Sequence, residues 1–423
     1  MIKKKYSLIF KSEFLSNIFT LLSGATIAQI IALITIPILT RIYSPEDFGF
    51  IAIYLSIANI ITSISAGRYE LAIMLPKKKE SALAIFTGSF KIIVIISLTS
   101  FLAIVILKSF DNKVSSFIEP SYFYLLPLSI FIIGLSNVFF QWYTRQKEFK
   151  LQAKVKIIKS ASSSGINVGL GLLFPIKSLG LFFGHIASQG FQLIIFLRKF
   201  IIEEKESLKN IDNHTVKEQL VENKNFPYFS APMAFLNSIS VDLLIYVFNI
   251  FYSTSLVGLY SNANKVINYP LSLISQSFTA VFYQKIAETN KKIKLYLISY
   301  FSNFAIATLA MVPIIFWGEE MFVFALGKDW AVAGAIAKLL TPLTITSFAM
   351  RSVSNIFSLT RRNGTLLIWQ IIYLLIIIVV IFYSKSAEFE NMLFSISIFG
   401  SILYLSLAVV GFVIIRNYHE TRN

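Results

Sequence analysis

Twelve long apolar stretches occupy most of this chain, and one charged segment separates them six from six. A bilayer requires about 20 predominantly apolar residues for each helical crossing. Stretches of that kind lie near 18–40, 48–74, 81–107, 121–142, 155–175, 178–197, 227–251, 256–283, 293–317, 331–357, 363–383 and 390–415. Backbone polar groups inside lipid must be satisfied within the segment itself, so crossings of this length are read as helices. The expected fold class is an all-α integral membrane protein. Its twelve transmembrane helices would form two pseudo-repeated six-helix bundles around a central cavity. The expected divisions are an N-terminal bundle over 1–197, a charged cytoplasmic linker over 198–225 and a C-terminal bundle over 226–423.

The halves also echo each other. Tyr43-Ser44-x4-Gly49 returns as Tyr252-Ser253-x4-Gly258, and at the same offset Asn59 meets Asn268 and Ser63 meets Ser272. Duplicated bundles are a recurrent transporter plan, with the substrate site between the repeats.

Composition supports the membrane reading and fixes an orientation. Hydrophobic residues make up 56% of the chain and charged residues 14%, too apolar to cover a soluble surface of this size. A net charge of +16 in a soluble protein would suggest nucleic acid. Here the cations instead gather between alternate stretches, at Lys3-Lys4-Lys5, Lys77-Lys78-Lys79, Arg145–Lys159, Lys291-Lys292 and Arg361-Arg362. Basic residues concentrate in the cytoplasmic loops of membrane proteins. Both termini are therefore expected in the cytoplasm, and no nucleic-acid partner is expected; separately, the abundance of Ile, Lys, Phe and Asn suggests an AT-rich bacterial genome, for which the expected location is the cytoplasmic (inner) membrane. The apolar run after the N-terminal lysines is too long for a signal peptide and reads as the first helix.

Outer connections are short: the longest charged one runs from Lys108 to Pro120, and a minimal turn at Pro175-Ile176-Lys177 implies an antiparallel helix pair. Gly165-x3-Gly169 and Gly180-x3-Gly184 in that pair suggest close helix packing.

No residue pattern for catalysis is found. The chain lacks HExxH, a P-loop, GxSxG and a Gly-rich dinucleotide turn, and its cysteine count is zero. A non-enzyme is expected, without metal or cofactor.

Charges embedded in the apolar stretches are then the informative residues, because ionisable groups in lipid are costly and usually functional. They are Arg68, Glu70, Lys91, Asp242, Lys265, Lys338 and Arg351. Asp242 and Lys265 flank one short outer turn at similar depth, roughly 15 Å along their helices at 1.5 Å per residue, and could pair. Lys265 lies on a stripe with Ser261, Asn268, Ser272, Ser275 and Thr279, whose alternating steps of four and three keep one helical face. A polar face on a membrane helix must look onto water or protein, so this is read as a cavity wall. The cavity residues expected to bind substrate are Arg68, Lys265, Arg351, Lys91, Lys338, Asn268 and Ser272, with Asp242 and Glu70 as ion-coupling candidates. A lumen of this net positive charge would draw in an anion.

A family resemblance is carried by residues 25–79: Ala25-Thr26-Ile27-Ala28-Gln29, then Ile36-Pro37-Ile38-Leu39-Thr40-Arg41-Ile42-Tyr43-Ser44-Pro45-Glu46-Asp47-Phe48-Gly49, then Gly67-Arg68-Tyr69-Glu70-Leu71-Ala72-Ile73. This run resembles the O-antigen and capsule repeat-unit flippases (Wzx-type) of the multidrug/oligosaccharidyl-lipid/polysaccharide exporter (MOP) superfamily. The resemblance implies two six-helix lobes and alternating access driven by a proton or sodium gradient. The implied substrate is an undecaprenyl-diphosphate-linked oligosaccharide, moved from the cytoplasmic to the periplasmic leaflet. A polysaccharide polymerase and a chain-length regulator are the implied partners. The competing expectations are a cation-coupled multidrug exporter of the same superfamily and a membrane glycan polymerase or ligase.

Overall fold

The structure, a computed structural model, describes the backbone of residues 2–110, 121–174, 177–288, 292–360 and 362–420. Most of the outer connection between Lys108 and Pro120, the turn at Pro175-Ile176, and Lys291 and Arg361 lie outside the described residues. Among those described, helices alone form the regular structure. They are α1 Ile2–Ile42, α2 Pro45–Thr62, α3 Tyr69–Ala72, α4 Lys79–Phe110, α5 Leu126–Arg145, α6 Phe149–Leu173, α7 Lys177–Lys209 and α8 Asn213–Glu222. Then follow α9 Ala231–Phe251, α10 Thr254–Glu288, α11 Lys292–Leu326, α12 Ala331–Val353, α13 Ile356–Leu359, α14 Asn363–Ser384 and α15 Phe389–Glu420.

Among the described residues, nine helices are long and apolar enough to cross a membrane: α1, α4, α5, α7, α9, α11, α12, α14 and α15. Large apolar side chains stand exposed on them, including Ile34, Leu98, Leu309, Phe324 and Val409. Lipid is the solvent that tolerates such a surface. The chain is a multi-pass membrane protein. Of the expected crossings, α2, α6 and α10 stand outside the nine, and their sequences explain why. The second stretch does not run unbroken from 48 to 74: α2 stops at Thr62, and the backbone turns through Gly67 and Arg68, both at positive φ. α6 carries Lys150, Lys154, Lys156 and Lys159, and α10 carries the polar stripe.

By contacts the chain forms two compact units, residues 1–35 with 50–243, and residues 36–49 with 244–423. The core of the first unit is aromatic. Phe86 stacks on Phe200 at 4.4 Å, with Phe139 and Trp142 packed edge-on and tilted around them. Helix α6 lies against the second half of α1 through Ser160 Oγ donating to the Ala28 carbonyl at 2.6 Å and Thr35 Oγ1 donating to Ser164 Oγ at 2.9 Å. Gly165 and Gly169 face open space, so they do not provide the close approach expected of them; Gly184 does, seated on the Asn167 side chain. The charged region after residue 198 is largely helical. α7 runs on to Lys209, and α8 packs along α4 with Val216 buried and Leu220 against Gly88.

In the second unit α11, α12 and α15 form the packed centre. Gly318 and Gly334 let α11 and α12 touch backbone to backbone. Beyond Pro313, α11 bends at Trp317, which leaves helical geometry at φ −128°. The segment 36–49 belongs to this unit: Trp330 Nε1 donates to the Thr40 carbonyl at 3.0 Å, and its ring meets Phe48 edge-on at 5.3 Å. The two tags also meet here. A Cβ on Gly49 would overlap the Thr254 carbonyl oxygen, and a Cβ on Gly258 would overlap the Pro45 carbonyl oxygen. Pro45 corresponds to Thr254 as Gly49 does to Gly258, so the contact is reciprocal. Each glycine supplies the absence of a side chain that lets the other copy's first turn come close.

Candidate functional site

The second unit holds a polar arrangement shared by α10 and α12. Arg351, near the end of α12, donates from its guanidinium to Asn268 Oδ1 of α10 at 3.0 Å. Asn268 Nδ2 in turn donates to Asn264, to Oδ1 at 2.7 Å and to its carbonyl at 3.1 Å. Arg351 is thus anchored by a neutral amide, which orients the cation without cancelling it. One helical position from Asn264, the half-buried Lys265 has no hydrogen-bond or ion-pair partner among the described residues. Ser272, one turn beyond Asn268, donates its hydroxyl to the Tyr269 carbonyl at 2.8 Å. A ring cluster adjoins the cation, because Tyr404 lies within electrostatic reach of Arg351. Trp369, Tyr373 and Tyr404 stand with centroids 5.1–5.7 Å apart. Cation, amides, hydroxyls and aromatic faces are the groups that hold anions and sugar rings.

Embedded charges in the first unit are held differently. Arg68 adopts a left-handed backbone conformation and pairs with Glu70 at 3.4 Å. Glu70 is 7% exposed and its Oε2 has no hydrogen-bond partner among the described residues, so the pair is local and incompletely satisfied. Asp242 accepts a hydrogen bond from the buried Ser56 hydroxyl. Lys91 is engaged with α8: its ammonium donates to Asn213 Oδ1 at 2.6 Å. In the second unit Lys338 also stands aside, 3.8 Å from Glu319 and against Gly318. Arg351 and Asn268 are therefore brought together, with Lys265 beside them on α10. Lys91 and Lys338 have other partners.

Two sets of residues escaped the sequence reading. Lys156 and Lys159 count there with the cytoplasmic cluster, yet they lie well inside α6, half-buried, with Lys156 4.9 Å from the Phe140 ring. Their spacing of three with Ser163 four further on was the available signal. Asn262 and Asn303 are fully buried, and neither side chain finds a hydrogen bond among the described residues. No periodic pattern singles them out.

The fold defines the class. The chain superposes on an inward-facing multidrug resistance MATE family transporter of the MOP superfamily with a TM-score of 0.58, at 14% identity, covering 95% of this chain and 94% of that one. A MOP superfamily transporter from Pyrococcus furiosus gives a TM-score of 0.52, again at 14% identity, over 96% and 95% of the two chains. At such identity the likeness concerns the fold alone: the chain is folded as these two transporters are. More particularly, the chain belongs to the polysaccharide biosynthesis protein family, which matches residues 14–283. The segment that resembles Wzx-type flippases lies inside that match. Succinoglycan biosynthesis transport protein ExoT of Rhizobium meliloti is 22% identical over 326 residues, 73% of this chain. The chain covers 61% of that relative's length.

Proposed function

We propose that this protein is a flippase for undecaprenyl-diphosphate-linked oligosaccharides, the building units of an O-antigen or capsular polysaccharide. It carries them from the cytoplasmic to the periplasmic leaflet by ion-coupled alternating access. The observation that carries the reading is the cation pair of the second unit, which has no carboxylate partner among the described residues: Lys265 without a partner there and Arg351 held by Asn268, beside the Trp369–Tyr373–Tyr404 rings. Burying a cation without an anion is costly. An arriving diphosphate supplies the missing charge, and the rings and amides offer surfaces to the sugars. Membership of a polysaccharide biosynthesis family and the transporter relative support the same cargo class.

In this reading the protein is a transporter rather than an enzyme. α2, α6 and α10 also cross the membrane, with polar faces turned away from lipid, giving twelve crossings in two lobes with both termini cytoplasmic. Asp242, reached by Ser56, and Glu70, paired with Arg68, are the candidates for proton or sodium coupling. A polymerase and a chain-length regulator would act on the delivered units. The multidrug-exporter alternative shares the fold, but a cationic drug would meet Lys265 and Arg351 unfavourably.

The test is complementation of surface-glycan export. Lys265→Ala and Arg351→Ala should each reduce export at least tenfold with protein level unchanged. Normal export by both variants, or drug sensitivity with intact surface glycan on deletion, would overturn the reading.

A further inference from the structure

A second basic site lies in the first unit, apart from the cations assigned to transport. Where α8 lies on α4, it roofs a groove of about 700 Å³. Lys91, Lys217 and Lys224 line it together with Tyr69 and Tyr228, and among its described lining residues there is no carboxylate. Spacing explains the convergence. Asn213, Lys217 and Leu220 advance by four and three, so one face of α8 presents Lys217 beside an apolar side chain, and Lys224 follows in the turn just past the end of the helix. The acids Glu218 and Glu222 of the same helix fall outside the lining.

The groove is built rather than incidental. Tyr69 donates its hydroxyl to the Leu220 carbonyl at 3.0 Å, and Lys91 donates to Asn213 Oδ1 at 2.6 Å, so one end of α8 is fastened to α3 and the other to the membrane helix α4. Asp212 caps α8 by accepting from the Thr215 amide at 2.9 Å. Lys217 and Lys224 remain exposed. Its position matters as much as its charge. Pro227 and Tyr228 of the lining begin the segment that runs directly into the membrane helix α9, and Val221, Tyr228 and Phe229 project exposed apolar surface next to the lysines. Three ammonium groups flanked by outward aromatic and aliphatic side chains, at the start of a membrane helix, match an amphiphile with an anionic head. A free sugar or a soluble nucleotide would leave the apolar rim without a use.

We propose that this groove binds the anionic phosphate headgroup of a membrane lipid. The chemistry is shared by a polyprenyl diphosphate and by bulk anionic phospholipid. The proposal holds whichever of these is the occupant, and it does not depend on Lys265 or Arg351. Lys217 and Lys224 contact the phosphate, Lys91 closes the inner end, and Tyr228 lies along the first part of the acyl or prenyl chain.

Native mass spectrometry of the purified full-length protein tests it, with phosphatidylglycerol, undecaprenyl diphosphate and zwitterionic phosphatidylcholine as separate probes. The diphosphate arm is read in a Lys265→Ala/Arg351→Ala background, so that only the groove contributes. Lys217→Gln/Lys224→Gln should lower retention of an anionic lipid at least tenfold. Lys217→Arg/Lys224→Arg should preserve it, as should Lys209→Gln, which removes a charge from the same linker outside the groove. Preferential retention of undecaprenyl diphosphate would make the groove a reception point for cargo; preferential retention of phosphatidylglycerol would make it a bulk-lipid site. Equal retention by the Gln double variant and the parent, at equal thermal stability, would overturn the proposal. So would phosphatidylcholine bound as tightly as both anionic probes. Should Lys265→Ala and Arg351→Ala export normally while the groove still selects anionic lipid, the transport reading falls and this one stands.

Discussion

Helices α2 and α10 start alike and then diverge. Each follows a Tyr-Ser tag, each is capped by that serine, and each places a glycine where the other copy's backbone passes. One turn or two beyond, the sequences part. Ser56 of α2 gives its hydroxyl to Asp242, whereas the matching Lys265 of α10 has no partner among the described residues. At the next matched pair both helices keep asparagine, but Asn268 is drawn into the bond with Arg351. The scaffold tolerates no side chain at its crossing and does tolerate a change of charge further along. The repeated part holds the helices in place, and the unrepeated part carries the difference in charge.

The largest expected effect breaks the shared crossing. Gly49→Ala or Gly258→Ala forces a methyl group into main-chain atoms, and overpacking of this kind costs about 1–3 kcal/mol or more. Both should lower the thermal unfolding midpoint of the purified protein, while Gly165→Ala and Gly169→Ala, with open space around them, should leave it unmoved. Next comes the divergence. Exchanging the matched residues, Ser56→Lys with Lys265→Ser, should abolish export at normal protein level, because Asp242 then acquires a cation and the second unit loses its own. Retained export would dissolve the distinction between the helices.

A smaller difference separates the caps. Ser44 and Asp47 bond reciprocally: Ser44 Oγ and its amide donate to Asp47 at 2.7 and 2.9 Å, and the Asp47 amide donates to Ser44 Oγ at 3.2 Å. Ser253 accepts only from the Leu256 amide, at 3.2 Å. Ser44→Ala should destabilise by about 1 kcal/mol, within the range for a lost cap, and Ser253→Ala by less. The smallest effect lies outside both helices. The hydrogen bonds from Thr215 hold the Asp212 carboxyl below its ordinary pKa. Its capping contribution is therefore present above the unfolded-state pKa and fades as pH falls through the lower folded value. Hydrogen exchange at α8 amides should quicken over that acid window, and Asp212→Asn should flatten the response.

Much of this was legible in the residues because membrane crossing and helical periodicity are one-dimensional signals. The apolar stretches, the tag and the stripe through Lys265 and Asn268 all followed from spacing. The partner of Asn268 did not: Arg351 lies 83 positions away, and only packing of α10 on α12 joins them. The bond from Lys91 to Asn213 was equally hidden, because hydropathy sees the helix that Lys91 occupies but not α8 lying against it. The break after Thr62 was hidden for a related reason. Gly67 announces a turn, but Arg68 at positive φ is a residue type that seldom adopts one, and its pairing with Glu70 accompanies the strain. Asn262 and Asn303 carried no mark at all, since buried amides among apolar neighbours read as ordinary helix.

The reciprocal glycine contact also constrains how the chain can change. Residue 49 touches 254 while 258 touches 45, which is the pattern of an isologous interface, where one surface patch meets its own copy across a two-fold axis. Each glycine is the mould of the other, so neither copy of the tag can drift at this point without its sibling.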